Sequence, residues 1–189
     1  PGGKIDLFVS TSKPAQVSLD VYRLGYYGGK GGRHVGRFGP FAVKPQETPG
    51  VGEARLRECV WERTHALEVP KDWVSGVYLA KLSTPSHRYQ SYIIFIVRDD
   101  RKAGYLFQCS DNTWQAYNAW PDRFSLYHNA RKDGKVLVSG VKVSRDRPYG
   151  RYIQIMDAPL SQGSGEFLLW EYPLAYWMES LGMDVTYCS

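Results

Sequence analysis

The sequence predicts two pieces of different architecture, an antiparallel β-sandwich over residues 1–100 and the first part of an α/β unit over residues 101–189. Three observations carry this. The first hundred residues are short apolar or alternating runs separated by Gly, Pro, Ser and Lys clusters, with no helical period. The charged stretch Arg98-Asp99-Asp100-Arg101-Lys102 then interrupts the pattern. Beyond it a strand runs through a polar turn into a helix start, which is an α/β signal.

In chain order, strands are expected at Ile5 to Ser10, Val17 to Leu24, Leu56 to Leu67, Gly76 to Leu82 and Ser91 to Val97. In the second of these, Val17, Leu19 and Val21 alternate with Ser18, Asp20 and Tyr22, giving one apolar and one polar face. The last is continuously apolar from Tyr92 to Val97 and suits a strand covered on both faces. After the charged boundary come a strand at Tyr105 to Cys109, a turn at Ser110-Asp111-Asn112, and a helix opening at Thr113 to Tyr117. Further strands are expected at Val136 to Val143 and Tyr152 to Ile155. Trp170, Leu174, Trp177, Met178 and Leu181 recur at helical spacing, with Pro173 near the first turn and Gly182 past the end. Asp184 to Cys188 reads as a strand entering a parallel sheet. Such a sheet needs helices on both faces, and too few remain here, so about half of the α/β domain is expected in a missing segment or another chain. A small α+β domain complete as it stands is the alternative. The absence of an initiator Met before Pro1 leads to the expectation that something upstream was removed.

At 189 residues, 43% hydrophobic and 23% charged, the chain has the balance of a folded protein with one or two cores. Its longest apolar run, Tyr92 to Val97, falls far short of the roughly 20 residues a membrane-spanning helix requires. The net charge of +5 would suit an anionic partner, but the 24 basic residues are scattered, which argues against nucleic acid. Cys59, Cys109 and Cys188 have no C-x-x-C spacing and are expected as free thiols, a weak pointer to a reducing compartment and the cytoplasm, with one disulfide plus one thiol left open.

Several motifs invite chemistry that their details oppose. The run Gly25-Tyr26-Tyr27-Gly28-Gly29-Lys30-Gly31-Gly32-Arg33 could cradle a phosphate, but no Ser or Thr follows the Lys and no helix follows the run. A structural loop is favoured, with glycines at positive φ and tyrosines packed or facing a neighbour. Gly163-Ser164-Gly165 has the wrong spacing for a nucleophile elbow. Cys109, at a strand end, is a candidate nucleophile with His128 as its base, although a packed thiol is the simpler account.

The stretch Ser110-Asp111-Asn112-Thr113-Trp114-Gln115-Ala116-Tyr117-Asn118-Ala119-Trp120 followed by Ser125-Leu126-Tyr127-His128 is the most informative. Together with Tyr22-Arg23-Leu24-Gly25-Tyr26-Tyr27-Gly28-Gly29 and Trp170-Glu171-Tyr172-Pro173-Leu174, in this order, it resembles the N,N-dimethylformamidase large (beta) subunit-like family over nearly the whole chain. The resemblance implies a sandwich followed by a glutamine-amidotransferase-like α/β domain with a mostly parallel sheet. It also implies a mononuclear ferric site, Fe(III) held by two tyrosines and a glutamate. The first tyrosine matches Tyr117 and the second Tyr127, with Tyr149 as competitor for the second position. Asn118 and His128, beside them, are candidates to orient the ligands through hydrogen bonds. The family's glutamate belongs to a His-Asp-Glu-Tyr-type motif that would lie after residue 189. Glu166, Glu171 and Glu179 belong to other motifs and do not inherit its role.

The implied chemistry suits these residue types. A phenolate is a hard anionic donor, and a ferric ion can lower a phenol pKa from about 10 so that it binds deprotonated. Open positions could polarise an amide carbonyl and activate water without redox change. The resemblance therefore implies hydrolysis of a small amide substrate at a carbon–nitrogen bond, in an oligomer, with the fragment inactive without its missing segment or partner chain. Two alternatives stay open. The sandwich and its tyrosine-rich loop could form a non-catalytic module that binds carbohydrate or protein. Ser189 could also mark a processing point before a second chain with an N-terminal nucleophile.

Overall fold

The apolar row Val17, Leu19 and Val21 is realised in strand β2 (Ala15–Leu24), where all three side chains are buried, and the alternate residues are half-buried. This is seen in a computed structural model that describes residues 1–86 and 89–189. Around β2 the chain is mostly strand, with few helices. It divides into two compact units that interleave in sequence. The first comprises Pro1–Gln46, Trp61–Cys109 and Trp170–Ser189, and the second Glu47–Val60 and Ser110–Leu169.

In the first unit, β1 (Lys4–Leu7) pairs antiparallel with β4 (His65–Glu68). A four-stranded antiparallel sheet runs in the order β3 (Gly32–Val43), β2, β5 (Gly76–Ser83), β6 (Gln90–Val97). One core joins the two sheets: Leu7 of β1 and Leu67 of β4 pack with Val17, Leu19 and Val21 of β2 and with Tyr78, Ala80 and Leu82 of β5. Burying each such aliphatic side chain contributes roughly 1.5–3 kcal/mol. Trp73 stacks on Tyr78 at 4.9 Å between ring centroids, and Tyr78 on Phe95 at 5.5 Å. The opposite row of β5, Val77 and Leu79, is buried as well, as is Ile94 of β6. The continuous apolar run at Tyr92 to Val97 is thus matched by a strand whose residues from Tyr92 on are buried or half-buried on both faces.

β3 has no counterpart among the expected strands. Gly36, Gly39 and Pro40 look like breakers, but β3 is an edge strand of its sheet, where Gly and Pro are tolerated. Register shifts between Val17 and Leu19 and between Val21 and Tyr22 absorb the irregularity. Three other expectations are corrected. Of Leu56 to Leu67, only the end is strand, because the segment before it belongs partly to the second unit. Of Val136 to Val143, only a short hairpin forms, β8 (Ala130–Lys132) with β9 (Lys135–Leu137). Tyr152 to Ile155 is not a strand: Ile153–Ile155 forms a 3-10 turn, and Tyr152 N–H instead donates to Asp157 Oδ1 at 3.0 Å.

The strand–helix–strand pattern at the end of the chain holds. β7 (Tyr105–Gln108) and β10 (Val185–Cys188) pair in parallel, with Val185 opposite Tyr105 and Cys188 opposite Gln108. Between them a π-helical turn, Phe167–Glu171, leads into a helix at Tyr172–Ser180 with Pro in its first turn. Of the repeat, Trp170, Leu174, Trp177 and Leu181 are exposed and Met178 is half-buried, whereas Ala175 is buried and Glu179, Tyr172 and Tyr176 turn toward the Gly25–Gly31 loop. The amphipathic pattern is real but points the other way, because polar side chains hold this helix in the first unit.

That attachment joins two of the sequence motifs. Arg23 is 7% exposed, and its guanidinium donates to Glu179 Oε1 at 2.9 Å, to Ser75 O at 2.8 Å and to Tyr27 Oη at 2.8 Å. Tyr187 Oη and Tyr26 N–H also donate to the Glu179 carboxylate, at 2.9 and 3.1 Å. Tyr172 Oη donates to Gly31 O at 2.6 Å, and Tyr26 packs edge-on against Tyr176. A Cβ added at Gly25 would run into the Glu179 carboxylate and the Arg23 guanidinium, so a side chain there would have to displace this ion pair. The glycine-rich run is therefore a structural loop clasped by the helix, as its poor phosphate-loop spacing implied. No helix among the described residues is long and apolar enough to cross a membrane.

Candidate functional site

The predicted site residues gather in the second unit around helix α1 (Asp111–Tyr117). Asp111 opens the helix, where a carboxylate complements the N-terminal dipole, and it pairs with Arg145. Trp114, Gln115 and Ala116 point inward. The Trp114 ring meets the edges of Tyr149 at 5.9 Å and Phe167 at 6.1 Å, and its carbonyl accepts from Tyr152 Oη at 3.0 Å. The helix stops at Asn118, whose backbone is extended and whose N–H still bonds the Trp114 carbonyl.

Tyr117 and Tyr127 are brought together. Leu126 N–H donates to Ala116 O at 3.0 Å, which lays residues 126–127 beside the end of α1. The two phenol rings lie 5.1 Å apart between centroids, tilted by 52°. Tyr117 is half-buried and Tyr127 is 65% exposed, so the pair stands at the surface of its unit. A tight turn fixes the second tyrosine: Ser125 N–H donates to His128 O at 3.2 Å and Tyr127 N–H to Ser125 Oγ at 3.4 Å. His128 is half-buried on that turn.

Asn118 behaves differently. It is 0% exposed, and its amide serves the framework: Oδ1 accepts from the N–H groups of Trp120, Gly150 and Arg151, while Nδ2 donates to Gln115 Oε1 and Pro148 O. Gln115 and Arg147 join this network; Gln115 lies in the quoted motif without an assigned role, and Arg147 lies outside every motif. Arg147 Nε donates to Gln115 Oε1 at 3.1 Å and Nη2 to Gln115 O at 2.7 Å. Burial lowers the affinity of this guanidinium for its proton.

Tyr149, the competitor for the second position, is packed against Trp114, and burial pushes its phenol up to about 12. Other candidates fall into structural roles. Cys109 is buried at the end of β7 and its N–H donates to Cys188 O at 2.8 Å; all three cysteines are free thiols. Ser164 is fully buried and its hydroxyl donates to Leu160 O. Glu179 is engaged with Arg23, and Glu166 accepts from Gln154 Nε2 at 2.7 Å. Among the described residues no group of three His, Cys, Asp or Glu side chains is placed to hold a metal ion. A groove of about 680 Å³ runs beside Pro49, Leu56, Glu58 and Lys142 in the same unit, and none of the predicted site residues lines it.

No curated protein matches this chain. A family does match, over residues 18–189, a span that takes in the glycine-rich loop, the α1 motif with Tyr127, and the Trp170–Leu174 motif. The chain belongs to the family described as N,N-dimethylformamidase beta subunit-like, C-terminal.

Proposed function

We propose that this chain is part of a ferric-iron-dependent hydrolase of small amides, in which Tyr117 and Tyr127 supply two of the ligands. The observation that carries the reading is the pairing of these two phenols, rings 5.1 Å apart at the surface of their unit, in a chain of the dimethylformamidase-like family. The donor set fits the ion. Phenolates are hard anionic oxygens, and two of them offset two of the three ferric charges, so one carboxylate from residues outside this chain completes a neutral site.

Bound there, ferric ion would supply Lewis-acid polarisation of a carbonyl and acidification of water. The chain's own residues do the rest. The turn Ser125–His128 and the end of α1 hold the phenols side by side, so that little reorganisation is needed when they lose their protons. The exposure of Tyr127 leaves room for a small substrate and for a third ligand. Tyr149, half-buried against Trp114 with its phenol pushed up to about 12, is less suited to the role.

Residues 101–189 are, on this proposal, the first part of a glutamine-amidotransferase-like α/β domain completed elsewhere in the sequence or by another chain. The parallel β7–β10 pair, the exposed Tyr105 and Leu106 of β7, and the exposed Trp170, Leu174, Trp177 and Leu181 support this, since parallel sheets occur with both faces covered. The test is metal analysis of the full-length protein after loading with ferric ion, together with its visible absorption. One iron per site and a phenolate-to-iron charge-transfer band are expected, both much reduced in Tyr117→Phe and in Tyr127→Phe along with amide hydrolysis. Iron content and activity unchanged in both variants would falsify the assignment.

A further inference from the structure

Asn118 adjoins a proposed ligand yet has no atom left with which to reach one. Both amide hydrogens are used, toward Gln115 Oε1 at 3.2 Å and Pro148 O at 2.9 Å. Its oxygen accepts three backbone N–H groups, from Trp120 at 3.1 Å and from Gly150 and Arg151 at 3.3 Å each. An asparagine amide offers two donors and one acceptor oxygen, so this one is saturated, and the three N–H groups on one atom fix which end is oxygen. Gln115 Oε1 is shared between Asn118 and Arg147, and Arg147 Nη1 returns to Trp120 O at 3.2 Å. Three stretches of chain therefore meet on one buried side chain: the last turn of α1, the turn after it, and residues 147–151.

Such a network is costly to break and poorly replaced by apolar packing once one member is lost. Its location matters more than its strength. Tyr117 is the residue before Asn118 and two after Gln115, so its Cα is held from both sides, while Leu126 N–H on Ala116 O brings Tyr127 to the same spot. We infer that Asn118 is a positioning residue whose saturated amide, with Gln115, keeps Tyr117 against Tyr127 and so sets the geometry of the two-phenol site. This rests on the proposed ligand role of the tyrosines for its chemistry, but the pairing of the rings is a separate observable.

The test uses full-length protein with ring-labelled tyrosine. Asn118→Ala and Gln115→Leu should weaken the ring-to-ring nuclear Overhauser effect between Tyr117 and Tyr127 in metal-free protein. They should also lower ferric affinity about tenfold to a hundredfold, the usual effect of losing a residue that orients a metal ligand. Gln115→Glu keeps the oxygen that accepts from Asn118 and Arg147 and loses the Nε2 donor that reaches Arg147 O at 3.4 Å, so both readouts should fall less than in Gln115→Leu. Folded fraction, followed by circular dichroism, normalises each measurement. An undiminished ring signal or wild-type iron affinity in Asn118→Ala overturns the inference, as does equal loss in Gln115→Glu and Gln115→Leu. If Asn118→Ala does not fold, the Gln115 pair decides. A wild-type protein that binds no iron removes the metal reading, and the ring signal alone then tests the positioning role.

Discussion

Arg23 sits on a strand of the β layer, where a charged side chain with 7% exposure would be expected to destabilise the fold. It is tolerated because Glu179 and the Ser75 carbonyl take up its donors. Burial alone would lower the guanidinium's proton affinity, and the hydrogen bond and charge of Glu179 more than reverse this, so it stays charged. Glu179→Ala leaves that cation without its carboxylate and is expected to cost about 3–5 kcal/mol, as for other buried pairs broken on one side. Urea unfolding of the variant checks this. A loss under 1 kcal/mol would mean that water reaches the site.

The alkaline limit of stability is also set by single residues. Burial pushes the Cys59 thiol up to about 11 and the phenols of Tyr78 and Tyr149 to about 12, from ordinary values of 9.0 and 10.0. Tyr152 and Tyr187 move in the same direction for the same reason. These groups keep their protons in the fold at pH values where the unfolded chain has begun to shed them. Their contribution is complete below pH 9 and is lost as pH climbs from 9 through 12. Urea midpoints should accordingly be level from pH 7 to 8.5 and fall steadily above 9. A midpoint unchanged at pH 10.5 would contradict the burial of these groups.

Among the elements, the loop from Gly25 to Gly31 shows what a glycine does here. Gly31 has a φ of +80°, and an added Cβ would lie 2.7 Å from Tyr172 Oη, the hydroxyl that bonds its own carbonyl. Gly31→Ala should cost about 1–3 kcal/mol through backbone strain and the lost clasp. The same substitution at Gly28, where a Cβ meets nothing within 4 Å, isolates the backbone part. Equal losses at the two positions would show that the Tyr172 contact contributes nothing.

Legibility followed locality. The alternation in β2, the apolar run of β6, and the β7-to-α1 passage were readable because each depends on neighbours in sequence. β3 was hidden because its glycines and proline are permitted only by its place at a sheet edge, a tertiary fact. The repeat Trp170, Leu174, Trp177, Met178 and Leu181 correctly announced a helix, but within this chain all of it except the half-buried Met178 is exposed, since a glutamate and two tyrosines attach the helix. At the site, Tyr117 and Tyr127 stood out by motif resemblance and not by spacing. Arg147 went unseen because its partner Gln115 is 32 residues away.

At the scale of the whole molecule, the proposed site has two donors on this chain and needs a third from outside it. On that proposal the 189-residue chain alone is expected to bind ferric ion weakly and to hydrolyse no amide, whereas the chain joined to the source of the third ligand binds the ion tightly and hydrolyses amides. Titration with ferric ion, followed through the charge-transfer band, compares the two. Tight stoichiometric binding by the short chain would place all the ligands within it and contradict the proposal.

The interleaving of the units bears on how the protein is made. The first unit takes its residues from three separate stretches, the last being Trp170–Ser189. A ribosome that has released the first hundred residues has delivered Arg23 and the whole four-stranded sheet, but not the carboxylate that balances that arginine. About eighty further residues must emerge before Glu179 arrives, which at typical synthesis rates of about 5–20 residues per second is a wait of several seconds. During that interval Arg23 has neither Glu179 nor Tyr187 beside it, so the surroundings of this side chain are complete only once Trp170–Ser189 has been made.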